Sequence, residues 1–252
     1  MLENRIGLVV GVANEHSIAA GCAKAFAREG ATLALTYMND RALPHVRPVA
    51  DAAGAAELLP LDLADPAQID AVFDTIANRW GRLDFLLHSV AFCPKDDLHG
   101  RVVDCSADGF AQAMDISCHS FLRLARKAEP LMQKGGSLLT VSYYGAEKVV
   151  DHYNIMGPVK AALEGVTREV AVELGPQGIR ANVLSPGPIA TRAASGIEDF
   201  ESLMQDAREH AAQRRLVTID EVGEMAAFLA SDRASGVTGS ISYIDGGRHV
   251  RM

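Results

Sequence analysis

Ile6-Gly7-Leu8-Val9-Val10-Gly11-Val12, followed by Ala13-Asn14-Glu15-His16-Ser17 and then Ile18-Ala19-Ala20-Gly21, is the stretch on which the fold turns. Residues 6–12 form the near-continuous apolar run expected of a strand covered on both faces in a parallel sheet. From 18 to about 29 the pattern becomes helical. Gly11 permits a tight turn between the two, Ser17 can cap the helix, and the helix N-terminus offers free amides to an anion. The glycine spacing is not G-x-G-x-x-G, so taken alone the turn is equally a plain βα connection.

Working outward, the same unit recurs. Residues 32–37, 57–61, 85–89, 137–142, 180–185 and 240–244 read as further short strands, and 41–53, 66–80, 107–134, 153–174 and 219–230 as helices. Unbroken βα alternation predicts one α/β domain over 1–252, a doubly wound Rossmann arrangement with a mainly parallel seven-stranded sheet. The stretch 186–212 has no place in the alternation. It follows the sixth strand, at the carboxyl edge where such sheets bind ligands.

Composition narrows the function. The chain has 252 residues and 48% hydrophobic content, enough for a sizeable core in a single domain. No apolar run reaches the ~18 residues of a membrane span and no signal peptide precedes the first strand, so the cytoplasm is the expected location. A net charge of −8 with scattered basic residues disfavours nucleic acid. Cys22, Cys93, Cys105 and Cys118 lie far apart, as reduced thiols rather than a disulfide or zinc framework, and no metal site is expected.

Tyr153 and Lys160 stand seven residues apart in a helical pattern, which places them on nearly the same face, and Tyr143 lies ten residues upstream just past a strand. A phenol beside an ammonium is a proton donor with a fixed positive neighbour, the equipment of an oxidoreductase. Taken alone, the pair reads more readily as an amphipathic core tyrosine and a solvated lysine, and the rest of the chain is what outweighs that reading. Asp62, in Leu59-Pro60-Leu61-Asp62-Leu63, suits an adenine amino group or could cap the next helix. Ser89-Val90-Ala91 ends the fourth strand, where a nicotinamide would pass.

Read together, Gly11-Val12-Ala13-Asn14 with Ser17-Ile18-Ala19, Thr36-Tyr37, His88-Ser89, Asp115-Ile116-Ser117, Ser142 to Glu147, Tyr153 to Gly157, Gly187-Pro188-Ile189, Ala193 to Ile197 and Asp245-Gly246-Gly247 give the chain a family likeness. It resembles, nearly end to end, the enoyl-acyl carrier protein reductases, a divergent branch of the short-chain dehydrogenases/reductases with Tyr-x6-Lys spacing. The resemblance implies NADH-dependent reduction of trans-2-enoyl thioesters in a cytoplasmic homotetramer, with acyl carrier protein as a candidate partner. It implies that Tyr153 hydrogen-bonds the thioester oxygen, that Lys160 holds the nicotinamide ribose, and that Tyr143 shapes the pocket. Gly11, Ser17, Ile18, Met38, Asp62, Leu63, Ser89, Val90, Ala91, Lys160, Ile189, Thr191 and Ala193 would contact NAD. Cys93, Tyr143, Tyr153, Met156, Ala193, Ile197 and Phe200 would contact the acyl chain, with 191–212 as a lid.

The chain departs from the family pattern at four places. Pro158 falls between Tyr153 and Lys160, where an established helix loses ~3 kcal/mol or more unless the proline lies in its first turn. Ala91 replaces a common glycine and Arg192 a common leucine. Glu198, Asp199, Glu201 and Asp206 make the outer edge of the lid acidic where an acidic carrier would dock. Among rival readings, Tyr144 and Lys148 have the Tyr-x3-Lys spacing of carbonyl reductases, although Leu131 stands where their serine would. A non-catalytic nicotinamide sensor would use the same fold. Neither a Gly-x-Ser-x-Gly elbow nor His-Glu-x-x-His is present for a hydrolase or metalloenzyme.

Overall fold

A computed structural model of the chain describes residues 1–191, 196 and 198–251. Arg192, Ala193, Ala194, Ser195, Ile197 and Met252 lie outside the described residues, and with them the contacts expected of Ala193 and Ile197. The strands are β1 (Ile6–Val10), β2 (Thr32–Tyr37), β3 (Glu57–Pro60), β4 (Phe85–His88), β5 (Gly136–Val141), β6 (Ile179–Pro186) and β7 (Ile241–Ile244). All pair in parallel, in the order β3-β2-β1-β4-β5-β6-β7. The order reverses between β1 and β4, which opens a crevice at their carboxyl ends.

The helices are α1 (Ile18–Arg28), α2 (Leu43–Ala52), α3 (Pro66–Trp80), α4 (Lys95–Leu98), α5 (Ala107–Met114), α6 (Ser120–Ala128), α7 (Met156–Leu174), α8 (Phe200–His210) and α9 (Ile219–Ala230). Two apolar layers sandwich the sheet. One joins Leu8, Leu86 and Leu138 to α3, α6 and α7; the other joins Val9, Leu87 and Leu139 to α1, α2 and α9. Strand residues alternate between these layers, so every strand residue of β1 and β4 is buried and both read as continuous apolar runs. Local chemistry sets the helix ends: Asp65 accepts from the Ala67 N–H to cap α3, Gly81 ends that helix in a left-handed conformation, and Thr218 and Glu221 form a capping box on α9.

Two helical expectations need correction. The pattern over 107–134 is not one helix: a π-turn at Asp115–His119 separates α5 from α6, and the helical run gives way to a 3-10 turn at Glu129–Leu131. The π-turn turns Ser117 toward the loop after β4, where its hydroxyl donates to Phe92 O at 2.9 Å and accepts from Phe92 N–H at 2.8 Å. The helix expected from 153 starts at Met156.

Candidate active site

A cavity of about 330 Å³ opens at the carboxyl edge of the sheet, walled by the loop after β4, the ends of β5 and β6, the start of α7 and one face of α8. Tyr143, Tyr153, Lys160, Cys93, Met156 and Phe200 all line it, as do Ile18, Ala91, Ile189 and Thr191. Phe92, Leu98 and Leu203 complete its apolar wall, and of these Phe92 and Leu98 escaped the sequence reading. Leu203 carried a signal, its helical spacing from Phe200.

Tyr153 does not stand on α7. It lies in the turn before the N-cap Ile155, flanked by His152 and Asn154 with φ of 62° and 50°. Left-handed backbone costs a non-glycine residue ~1–3 kcal/mol, least for residues such as Asn and His. The turn is held by the Asn154 side chain, which donates to Gly100 O at 3.1 Å, and by Met156 N–H donating to Tyr153 O. Pro158 is therefore the third residue of α7, inside the first turn, where its missing N–H would have had no intrahelical acceptor. Lys160 does stand on α7. It is only 4% exposed, and its Nζ donates to Val141 O at 2.7 Å.

Burial determines the protonation of these groups. It drives the Tyr143 phenol well above the ordinary tyrosine range, with Tyr144 and Tyr153 adding to the effect. Tyr153 rises through burial and the charge of Glu164. Both phenols are thus proton-bearing donors at neutral pH. The Lys160 ammonium is lowered by burial to about 8, against the opposing pull of Cys118 and Glu164, and still carries its charge at pH 7. Cys93 is held as a thiol, pushed up to about 11 by burial with Asp97 and Cys105 contributing.

Behind Lys160 lies a group the sequence reading gave no role. His88 is fully buried between Thr140 Oγ1 and Ser120 Oγ, each 2.8 Å from a ring nitrogen. Ser120 donates its own proton to Ile116 O at 2.7 Å, so Nε2 of His88 carries the hydrogen and Nδ1 accepts from Thr140. Burial, with the charge of Lys160, lowers this imidazole to about 3 and keeps it neutral.

The competing Tyr144–Lys148 pair is not part of this cavity. Tyr144 opens the 3-10 turn Tyr144–Ala146, with the Arg248 guanidinium 5.7 Å from its ring, and Lys148 is exposed.

Toward the expected cofactor positions, Gly11 has φ 105°, and a Cβ there would stand 2.1 Å from Ser89 O. Only glycine lets the β1 turn approach the end of β4 this closely. Ser17 occupies the N-cap of α1 but does not cap it; its hydroxyl donates to Asn14 O at 2.7 Å. The first helical bond runs from Ala20 N–H to Ser17 O, which leaves the Ile18 and Ala19 amides pointing out for an anion. Ser89 N–H donates to Val10 O, and Val90 follows it into the loop. Met38, Asp62 and Leu63 lie outside the cavity, beyond the ends of β2 and β3. Met38 is exposed, Asp62 accepts from Ala64 N–H, and Leu63 O accepts from Arg123. Asp62 does not cap α3; Asp65 does.

The acidic edge is also partly spoken for. Asp206 is bound by Arg248 at 2.8 Å, and Glu198 lies 3.7 Å from His152. Among the arginines, Arg215 is committed to Glu221 and Arg214 to Glu209 O.

A parallel Rossmann sheet with a buried tyrosine and lysine beside its ligand crevice defines an oxidoreductase of the short-chain dehydrogenase/reductase class. Residues 11–249 match the family model described as Enoyl-(Acyl carrier protein) reductase. The chain is 48% identical over 250 residues to enoyl-[acyl-carrier-protein] reductase [NADH] 1 of Rhizobium meliloti, covering 99% of this chain and 92% of that one. It is 45% identical to the NADH enzyme of Haemophilus influenzae, over 95% of this chain and 92% of the relative. Among solved structures, the Anaplasma phagocytophilum reductase in complex with NAD superposes with a TM-score of 0.95 at 47% identity, over 99% and 95% of the two chains. The Bacillus cereus reductase, solved with NADP+ and an indole naphthyridinone, gives 0.96 at 42%, over 99% and 98%. The chain belongs to the enoyl-acyl carrier protein reductase family.

Proposed function

We propose that this chain reduces the C2=C3 double bond of trans-2-enoyl thioesters with NADH in fatty-acid elongation. The observation that carries the reading is the apolar cavity in which two protonated phenols and a charged lysine converge at the carboxyl edge of the sheet. The residues fit the cofactor. The Gly11 turn leaves the Ile18 and Ala19 amides free for a pyrophosphate, and Lys160 Nζ spends one of its three hydrogens on Val141 O, keeping two for ribose hydroxyls. NADH supplies the hydride that reaches C3.

The chain's own residues handle the charge and the proton. Tyr153 donates a hydrogen bond to the thioester oxygen as enolate charge develops there, and in a dry pocket such a donor is worth several kcal/mol. Lys160 stabilises the same charge through its own. Tyr143 confines the thioester by edge contact with Tyr153. Met156, Phe200 and Leu203 give the acyl chain an apolar wall and exclude water.

Acyl carrier protein is the proposed carrier and a cytoplasmic homotetramer the proposed assembly. Apolar side chains left open on the helices support the assembly, Phe110 of α5 at 42% and Val172 of α7 at 77% exposure. No helix among the described residues is long and apolar enough to cross a membrane. Residues 191–212 are proposed as the lid, because α8 brings Phe200 and Leu203 to the cavity while Asp206 ties it to Arg248. The test is loss of NADH absorbance with crotonyl and longer enoyl thioesters on both carriers. Cofactor oxidation by a ketone panel but not by enoyl thioesters would replace this reading with a carbonyl reductase.

A further inference from the structure

Val141 and Ser142, the last residue of β5 and its successor, are each tied to α7. Val141 O receives Lys160 Nζ, and Ser142 Oγ donates to Glu164 Oε1 at 2.6 Å. Glu164 stands one helical turn beyond Lys160 and is only 4% exposed. A buried carboxylate is costly unless its charge is used or neutralised. Neither anchoring β5 nor the Tyr153–Lys160 pair requires one, since a neutral side chain would accept from Ser142 equally well.

The sheet continues the polar row outward. Leu184 pairs with Val141, which places Ser185 beside Ser142, and Ser185 pairs with Tyr243 on β7. Register partners in a parallel sheet share a face, so Ser142, Ser185 and Tyr243 lie side by side beneath α7. Among the described residues Ser185 Oγ is buried without a hydrogen-bond partner, the environment in which one water is held. Tyr243 closes the row by donating to the exposed Glu147 at 2.5 Å.

We propose that Glu164 is the inner station of a proton path running from solvent through Glu147, Tyr243 and a water on Ser185 Oγ to Lys160. The proposal rests on the enoyl reductase reading, whose chemistry consumes one solvent proton per turnover. The hydride completes the new C3–H bond and Tyr153 gives its phenolic proton to the enolate. Lys160 returns a proton to the phenolate and Glu164, one turn along α7, returns one to the lysine, each across a bridging hydroxyl or water rather than by direct contact, and the row returns one to Glu164. Each hop breaks one O–H or N–H bond and forms another, so the net change is one proton from solvent to the product. Glu164 is suited to the exchange. Burial raises its carboxyl and the charge of Glu147 adds to that, while Ser142, Arg168 and Lys160 favour the carboxylate. Its charge is also felt by Tyr153 and Tyr243.

The experiment compares wild type with Glu164→Gln, which keeps an acceptor for Ser142 but cannot carry a proton. Two variants farther out, Tyr243→Phe and Glu147→Gln, serve where Glu164→Gln fails to fold. Steady-state rates with NADH and an enoyl thioester are measured in H2O and D2O, with and without imidazole. The proposal expects kcat to fall about tenfold at unchanged KM and unchanged NADH affinity. It also expects a larger solvent isotope effect than wild type, and partial recovery of kcat with imidazole. A loss of kcat without a change in isotope effect or rescue by imidazole would make Glu164 a strand anchor only, and unchanged kcat in all three variants would remove the path. Failure of wild type itself to turn over enoyl thioesters would instead overturn the proposed function.

Discussion

Tyr143 and Tyr153 meet edge to face across Gly145, their ring centroids 4.9 Å apart and their planes at 68°. A Cβ on residue 145 would stand 2.7 Å from Cδ1 of Tyr153 and 3.2 Å from Cδ1 of Tyr143. Gly145→Ala is therefore expected to push the two rings apart. Overpacking of this kind costs ~1–3 kcal/mol, and because the strain falls on the tyrosines it should appear mainly in kcat. NADH affinity, measured by fluorescence titration, should stay near wild type. An alanine variant with wild-type kcat would show that the turn absorbs the methyl group elsewhere.

The two tyrosine-lysine pairs make opposite forecasts. Tyr153→Phe keeps the ring and removes the donor, so kcat should fall by ~10²-fold or more while thermal stability holds. Tyr144→Phe, outside the cavity and beside Arg248, should leave kcat within about threefold of wild type. The reverse ranking in a steady-state assay would make Tyr144 and Lys148 the working pair.

The position of Tyr153 also marks how far the sequence could be read. Alternation of buried strands and helices was plain because both faces of the sheet are covered, and 32–37 and 66–80 coincide with β2 and α3. The seven-residue spacing correctly grouped Tyr153 with Lys160 around one cavity, but through the wrong geometry. Pro158 held the missing information: a proline is tolerated in a first turn, so α7 must start just before it and Tyr153 must precede the helix. Periodicity could not show the left-handed residues His152 and Asn154, nor the π-turn at Asp115–His119, because both interrupt a pattern without changing its composition. His88, Glu164 and Ser185 were illegible for another reason. The hydrogen-bond partners of His88 and Glu164 are 22 to 52 residues away and the register partners of Ser185 come from neighbouring strands, so only the assembled sheet brings them together.

Burial of Lys160 predicts a pH signature in stability. Its ammonium titrates at about 8 in the folded chain and at 10.5 unperturbed, so between these values the unfolded chain holds more proton than the native one. Stability then rises with pH across that window, by up to about 1.4 kcal/mol per pH unit. Urea melts at pH 7 and pH 9.5 should show wild type gaining relative to Lys160→Met. Parallel changes in the two proteins would mean that the buried ammonium is solvated in the folded state.

NADH should be used with higher kcat/KM than NADPH. A 2′-phosphate needs a cation beyond the end of β2, and the residues there are Met38, Asn39 and Asp40, with the Asn39 side chain already accepting from Ala42 N–H at 3.1 Å. Arg41 is the one nearby cation in that turn and is exposed. Faster use of NADPH, abolished by Arg41→Ala, would show that this arginine reaches the phosphate.

Coupling to acyl carrier protein should be weak, with coenzyme A thioesters used comparably well. Glu198, Asp199 and Glu201 are exposed at the start of α8 and face an acidic partner with like charge, while the pairing of Asp206 with Arg248 removes the fourth acid from the edge. Such exposed charges contribute ~1 kcal/mol together, and salt screens them beyond about 8 Å. The penalty should raise KM for the carrier-linked substrate severalfold at low salt and fade as salt increases. Arg208, which makes a weak contact to Gln205 at 3.3 Å, is the cation on α8 best placed to offset it. If carrier-linked substrates instead outperform coenzyme A thioesters, salt erodes the advantage, and Arg208→Ala cancels it, then the arginine side of α8 is the dock and the acidic edge faces away from the carrier.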